Sequence, residues 1–292
     1  MIAYNTKIQA NPPLGVKGVT GSAGKMVAVE QKSSAPLDRL SHRLQFINNQ
    51  GREVTLLSDA ALQKKRPGKL RGLSVENVVT FWWEEGASLI CYAMESEGSL
   101  ELVDYWLLHT LLPLYFTLEK QYDILHAGAV DVAGLALLFI ADSCGGKSTM
   151  TDFFIQQGHR MLSDDKVATY EEAGLFFAVP SYPYHRPYRK AEDLGYFVSN
   201  FTPKPEPIGA IYELERVQPD APIEIVELSG IEKFTALRYA SEMNFSFLKP
   251  KRFDYLMRLA ANVPLFRVHV PWDIERLSEV HNTIVTHTKN NR

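Results

Sequence analysis

The chain has 292 residues, enough for one large domain or two small ones with a real core. Charged residues make up 22% and the formal net charge is −3, so there is no broad positive field for nucleic acid. The two cysteines, Cys91 and Cys144, are too few for a disulfide framework and lack metal-ligand spacing.

The N-terminus, "MIAYNTKIQANPP", has no basic-then-apolar signal pattern, which fits a cytoplasmic protein. Residues 1–105 alternate short apolar runs ("KMVAVEQ", "VTFWWEEGASLICYAM") with polar turns, which predicts several strands in a β-rich N-terminal part. Trp82 and Trp83 read as core and sheet-face residues rather than a ligand cage. "KKRPGKLRG", residues 64–72, reads as a solvated basic loop, with a dock for an acidic peptide as the rival reading. The most apolar window, "YWLLHTLLPLYFTL", is too short to span a bilayer. It contains Pro113 and reads as a core helix with a kink or stop there, and no membrane is expected.

From residue 106 onward the sequence predicts a nucleotide-binding catalytic domain, 106–292. "LALLFIA", Leu135 to Ala141, is a continuous apolar run of the kind a buried strand carries. "DSCGGKST" follows, in which Gly146, Lys147 and Ser148 fit the end of the phosphate-loop pattern G-x-x-x-x-G-K-[ST]. Ala141 stands where that pattern opens with glycine. The next segment carries Met150, Phe153 and Phe154 on one helical stripe, and Gly158 marks its end. Strand, small-residue loop and helix are what phosphate binding requires: successive backbone N–H groups wrap the phosphates and the helix N-terminus adds positive charge. Ser143, Cys144, Gly145, Gly146, Lys147, Ser148 and Thr149 are the expected nucleotide-binding residues. Lys147 would meet the β- and γ-phosphates and Ser148 would hold Mg²⁺. Cys144 is either a reactive loop thiol protected by ATP or an inert apolar filler.

Arg160 to Ser163 reads as a short strand ending in two carboxylates, Asp164 and Asp165. A strand returning after the helix brings them beside the loop, where one acid can hold the metal and the other accept a proton. "PSYPYHRPYRK", residues 180–190, cannot be a regular helix because of its three prolines. It is either an exposed loop or a loop near the phosphates, with Arg186 or Arg189 stabilising charge on the transferring group. "IGAIYELERV" and "APIEIVELSG" predict strands, and "KPKRFDYLMRLAANVPLFRVHVP" predicts a helix and then a strand. Arg238, in "TALRYASEMNFSF", is a further candidate for the phosphate arginine.

"HAGAVDVAGLALLFIADSCGGKSTMTDFFIQQGHRMLSDDKV", residues 126–167, resembles the core of HPr kinase/phosphorylase and the wider group of HPr kinase-like serine kinases. The resemblance takes in His126, the loop, the helix, the G-H-R turn and the paired aspartates. It implies an α/β fold of the phosphoenolpyruvate carboxykinase type, a mixed sheet flanked by helices. It also implies transfer of the ATP γ-phosphate to a serine hydroxyl. By that resemblance His126 and Lys147 are active-site residues, Ser148 holds Mg²⁺, and Asp165 is the proton acceptor with Asp164 beside it; we read Asp164 as organising the metal together with Ser148. Ala141 and Cys144 replace two glycines of the family's loop, and the family's later motif with a metal-binding glutamate has no counterpart here. The second half looks more like the divergent branch that includes the lasso-peptide tail kinases, which phosphorylate the C-terminal serine of a precursor peptide. The expected partner is therefore a peptide or small protein carrying a serine, and a homo-oligomer is compatible with the chain. Two alternatives stay open at this point: a kinase of a free small metabolite, and a non-catalytic nucleotide-binding regulator.

Overall fold

A computed structural model describes the chain except for Ser22, Asn48, Asn49, Gln50, Lys65, Pro67, Ser143, Tyr188, Arg189, Arg292 and the side chains of Phe46 and Ile47. The chain divides into two units: Met1–Lys120 with Arg189–Leu194, and Gln121–Tyr188 with Gly195–Arg292.

The first unit holds β1 (Ile2–Ala3), β2 (Thr6–Asn11), β3 (Lys25–Gln31), β4 (His42–Ile47), β5 (Glu53–Ser58), β6 (Leu70–Val75), β7 (Val79–Glu84) and β8 (Leu89–Met94). Among the described residues they form one eight-stranded sheet in the order β1-β2-β3-β8-β7-β6-β5-β4. Alternation places Trp83 in the core, 1% exposed, and leaves Trp82 half-buried on the other face.

A helix follows, built of α1 (Leu100–Trp106), a π-helical turn (Leu107–Leu111) and α2 (Leu112–Leu118). Ser99 caps it by accepting from the Leu102 N–H. Pro113 lacks an N–H, and the helix widens just before it so that the Leu112 N–H bonds to the Leu107 carbonyl. The proline is thus accommodated by a π turn, and the helix runs on to Leu118. Tyr115 packs edge-on to Trp83 and Phe116 lies against Tyr4, so this helix belongs to the first unit. The boundary expected after residue 105 would cut it, and the division falls after Lys120 instead.

The basic stretch 64–72 is also not a uniformly solvated loop. Lys69 is fully buried, its Nζ donating to the carbonyls of Ala61, Leu62 and Lys64 at 2.7, 3.1 and 3.2 Å. Burial, with Arg71 second, lowers its pKa. Residues 70–72 open β6, where Arg71 pairs with Glu85.

The second unit contains β9 (Asp123–His126), β10 (Gly128–Val132), β11 (Leu135–Ile140), α3 (Lys147–Gln156), β12 (Arg160–Ser163), β13 (Lys166–Glu172) and β14 (Leu175–Val179). There follow β15 (Tyr184–His185), β16 (Tyr196–Phe197), β17 (Glu206–Val217), β18 (Ile225–Glu227), α4 (Gly230–Ala240), α5 (Lys249–Asn262), β19 (Leu265–Pro271) and α6 (Leu277–Asn290). Nine of these strands form a mixed sheet in the order β12-β10-β11-β17-β14-β13-β9, with β19 parallel to β17 and β18 on β19.

β11 is buried on both faces, which is why its sequence is unbroken apolar. Leu137 and Phe139 join Met150 and Phe154 of α3 and Val280 and Ile284 of α6. Ala136, Leu138 and Ile140 join Leu237 of α4 and Leu256 and Leu259 of α5. Each such large side chain contributes roughly 1.5–3 kcal/mol on burial. Two helix layers therefore clamp the strand from which the phosphate-loop candidate springs. Among the described residues, no helix is long and apolar enough to cross a membrane.

Candidate functional site

The loop from Ala141 to Gly146 joins the end of β11 to the start of α3. A Cβ on Gly145 would stand 2.5 Å from the Ala141 methyl and 2.8 Å from the Asp142 carbonyl oxygen. The alanine in the opening position therefore makes glycine necessary at 145. Ala141 itself stays out of the positive-φ region, while Cys144 adopts φ 61 and Gly146 φ 94. Left-handed backbone at a non-glycine residue costs about 1–2 kcal/mol.

Lys147 opens α3 and is only 4% exposed. Its Nζ donates to the carbonyls of Ala141 (2.8 Å) and Asp142 (3.2 Å). Phosphate oxygens are stronger, charged acceptors and would compete for those donors. The first backbone N–H groups of a helix have no intrahelical partner, so a small-residue loop feeding α3 offers an anion cradle. Ser148 is half-buried and Thr149 exposed in the first turn, and Cys144 is exposed. Ser143, expected among these residues, lies outside the described residues.

The paired acids sit at a break in a ladder. β9 pairs antiparallel with β13, with His126 across from Lys166, and β10 pairs with β12, with Ala129 across from Ser163. The two ladders share one register, which would set Asp165 across from Ala127 and Asp164 across from Gly128. The Ala127 N–H to Asp165 carbonyl bond bridges the gap, at 3.1 Å. Here His126 Nδ1 lies 3.2 Å from Asp165 Oδ1. α3 comes very close at this point: a Cβ on Gly128 would be 2.1 Å from Thr151 Oγ1.

Asp164 points elsewhere. It is 5% exposed, and its Oδ2 accepts from the Arg186 backbone N–H at 2.7 Å. The same oxygen is 3.0 Å from Nδ1 of His185, a fully buried ring. The opposite nitrogen, Nε2, is 3.3 Å from Asp152 Oδ1 on α3, and that oxygen also accepts from Tyr196 Oη at 2.5 Å. His185 therefore stands between the acid turn and the helix that begins at Lys147. The stretch 180–190 is not the exposed loop of one reading: β15 pairs with β16, and His185 and Arg186 are both buried. Arg189 lies outside the described residues. Arg238 is exposed in the last turn of α4.

Sequence reasoning passed over three residues of this cluster. Glu242 follows α4, where the chain bridges to β9 and the Glu242 N–H bonds to the Ile124 carbonyl. Its Oε1 is 3.5 Å from His126 Nδ1 and its Oε2 3.8 Å from Lys166 Nζ. Nothing in "YASEMNF" marks it. Asp152 is one carboxylate on a helix surface, and His185 is one ring among tyrosines and arginines, so neither carries a spacing signal.

The donor set fits Mg²⁺. Asp164 Oδ1 is a buried carboxylate oxygen with no hydrogen-bond partner among the described residues. Among the described residues, no group of three or more His, Cys, Asp or Glu is placed to hold a metal.

No protein-family model matches the chain, and no curated protein matches it. Among solved structures it is similar to the HPr(Ser) kinase/phosphatase from Coxiella burnetii, at 11% sequence identity and a TM-score of 0.37, over 57% of this chain and 97% of that one.

Proposed function

We propose that the protein is an ATP- and Mg²⁺-dependent kinase that transfers the γ-phosphate to a serine hydroxyl of a peptide or small protein. One observation carries the reading: a phosphate-loop lysine, Lys147, begins the helix whose Asp152 lies within 3.3 Å of the His185 ring, which in turn lies 3.0 Å from Asp164 of the paired acids. Lys147 and the loop amides neutralise phosphate charge. Ser148 and Asp164 would hold Mg²⁺, which when bound supplies further neutralisation of the phosphate oxygens. Asp165 accepts the hydroxyl proton, and His126, 3.2 Å away, sets its orientation and charge environment. Phosphoryl transfer asks mainly for positioning and electrostatics, which these residues provide.

The His126–Asp165 contact favours transfer over simple nucleotide binding, since a pure binder needs neither group. The acceptor class rests on the resemblance of residues 126–167 to the serine kinases, and the C-terminal serine of a lasso precursor is the finer form of the proposal. The decisive experiment is Lys147→Ala, followed by ATP affinity and phosphate transfer to a serine-terminated peptide. Severe loss of transfer in a folded variant is expected. Undiminished transfer would remove the loop from the mechanism.

A further inference from the structure

We infer that Trp272 and Arg216 form the platform on which the base of the bound nucleotide stacks; the inference rests on the loop being a nucleotide site. Three elements end together at one edge of the second unit's sheet. β17 runs parallel to β11, with Glu213 beside Ile140, and parallel to β19, with Val217 beside Pro271. The phosphate-loop candidate leaves β11 at this edge, Arg216 stands near the end of β17, and Trp272 directly follows β19. In open sheets of this kind, ligands bind beyond the carboxyl ends of parallel strands.

Arg216 links the other two. Its Nη2 donates to the Cys144 carbonyl in the loop, and its guanidinium lies over the Trp272 ring, 3.3 Å from the ring centre. That places an indole within one guanidinium of the loop backbone, about the separation between a nucleotide's phosphates and its base. Trp272 is 58% exposed, although an indole with no task is normally buried. Its backbone is fixed: the Trp272 N–H bonds to the Val217 carbonyl at 3.1 Å, and Arg276 Nη1 donates to the carbonyls of Pro219 and Ala221 at 2.8 Å each. A rigidly mounted, exposed aromatic ring backed by a cation suits a π-faced ligand, and every nucleobase has such a face. Stacking needs no base-specific hydrogen bond, so the platform fits a nucleoside triphosphate without reading which purine it carries.

The test compares ATP with inorganic tripolyphosphate, which engages the loop but has no base, by calorimetry on wild type, Trp272→Ala and Trp272→Phe. Trp272→Ala should weaken ATP roughly 5- to 100-fold, the range of one aromatic–base stack, and leave tripolyphosphate affinity unchanged. Trp272→Phe should retain most of the ATP affinity. Of the four tryptophans, Trp83 and Trp106 are buried and Trp82 is half-buried, so ATP should quench the emission of Trp272 where tripolyphosphate does not. If tripolyphosphate binds and ATP binds no tighter, or if Trp272→Ala binds ATP like wild type, the platform is wrong while the loop assignment stands. If neither ligand binds wild type, the loop assignment falls and the platform with it.

Discussion

His126 and Asp165 meet Nδ1 to Oδ1 at 3.2 Å because β9 and β13 are paired and the ladder opens just beyond them. Both side chains are about a quarter exposed, and Glu242 Oε1 lies 3.5 Å from the same imidazole nitrogen. Asp164, the next residue along, is buried against Arg186 N and His185. Adjacent carboxylates thus live in different surroundings, one reachable by a substrate and one locked in the protein. On the proposed function, such a division would separate a proton acceptor, Asp165, from a metal-organising group, Asp164.

Exchanging each acid for its amide tests that division. Asp165→Asn should cut transfer to a serine-bearing peptide about 10²–10⁴-fold, the range for one general acid–base group, and leave ATP affinity nearly unchanged. Asp164→Asn should weaken the Mg²⁺-dependent part of ATP binding. It should also lower stability by about 1–3 kcal/mol, since its carboxylate accepts a buried N–H. ATP titrations with and without Mg²⁺, transfer assays and urea unfolding read these effects. Normal transfer by Asp165→Asn, beside a dead Asp164→Asn that still binds Mg²⁺-ATP, would mean the roles are reversed.

Much of the second unit is legible in the sequence because its signals are local. The apolar run of β11, the Gly-Lys-Ser turn, the stripe on α3 and the strand before Asp164 all lie between Leu135 and Ser163 and obey simple periods. What stays hidden is made by distant chain. Glu242 reaches His126 through a bridge between Leu125 and Ser241, and His185 reaches Asp152 across the fold. Such meetings depend on sheet order, which periodicity does not encode. The domain boundary was hidden for a related reason: the helix 100–118 is apolar enough for either unit, and the packing of Tyr115 on Trp83 and of Phe116 on Tyr4 decides. Lys69 looked solvated because three nearby backbone carbonyls, invisible in a charge pattern, hold its ammonium.

Cys144 offers a test of the loop. Its thiol is exposed and its backbone is left-handed. If the loop binds nucleotide as proposed, alkylation should slow phosphate transfer and bound ATP should protect it. Full activity after alkylation of Cys144, verified by mass spectrometry, would overturn the loop geometry. Cys144→Gly should keep activity and raise stability by up to about 1 kcal/mol, because glycine adopts φ 61 without strain. A loss of stability in the melting curve would show that the cysteine's contacts outweigh its backbone strain.

Two buried groups should tilt stability with pH in opposite directions. Burial pushes the Asp104 carboxyl up to about 6, against the opposing N–H groups of Gly15 and Val16. The folded form then holds a proton that the unfolded chain releases, so this contribution is full below about pH 4 and lost as pH rises through about 6. Its size is on the order of 2–3 kcal/mol, and Asp104→Asn should flatten that slope. His159 is pushed below its ordinary value by burial and then by His281, whose Nε2 lies 3.1 Å from its own. Its contribution is full above about pH 6.5 and lost as pH falls through the lower folded value. Urea midpoints across pH 4–8 for wild type, Asp104→Asn and His159→Gln would check both signs. A variant whose pH profile parallels wild type would refute the group concerned.

The buried imidazole of His185 decides whether the acid turn and the helix act as one device. It stands 3.0 Å from Asp164 Oδ2 and 3.3 Å from Asp152 Oδ1, with Tyr196 edge-on at 5.2 Å and the Arg186 N–H on the same Asp164 oxygen. Removing the ring leaves the buried Asp164 carboxylate without the group beside it, so His185→Gln should destabilise the protein by about 1–3 kcal/mol. A merely structural role would end there. A positioning role predicts more: Asp164 loses its aim, and the Mg²⁺-dependent part of ATP affinity should fall as it does in Asp164→Asn. Mg²⁺-free ATP affinity, set by Lys147 and the loop, should hold. A double-mutant cycle of His185→Gln with Asp152→Asn should give a coupling of about 0.5–3 kcal/mol in stability, as expected for residues in direct contact. If the melting temperature drops while the Mg²⁺ response is untouched, His185 only fills space, and the link from α3 to the paired acids carries no part of the chemistry.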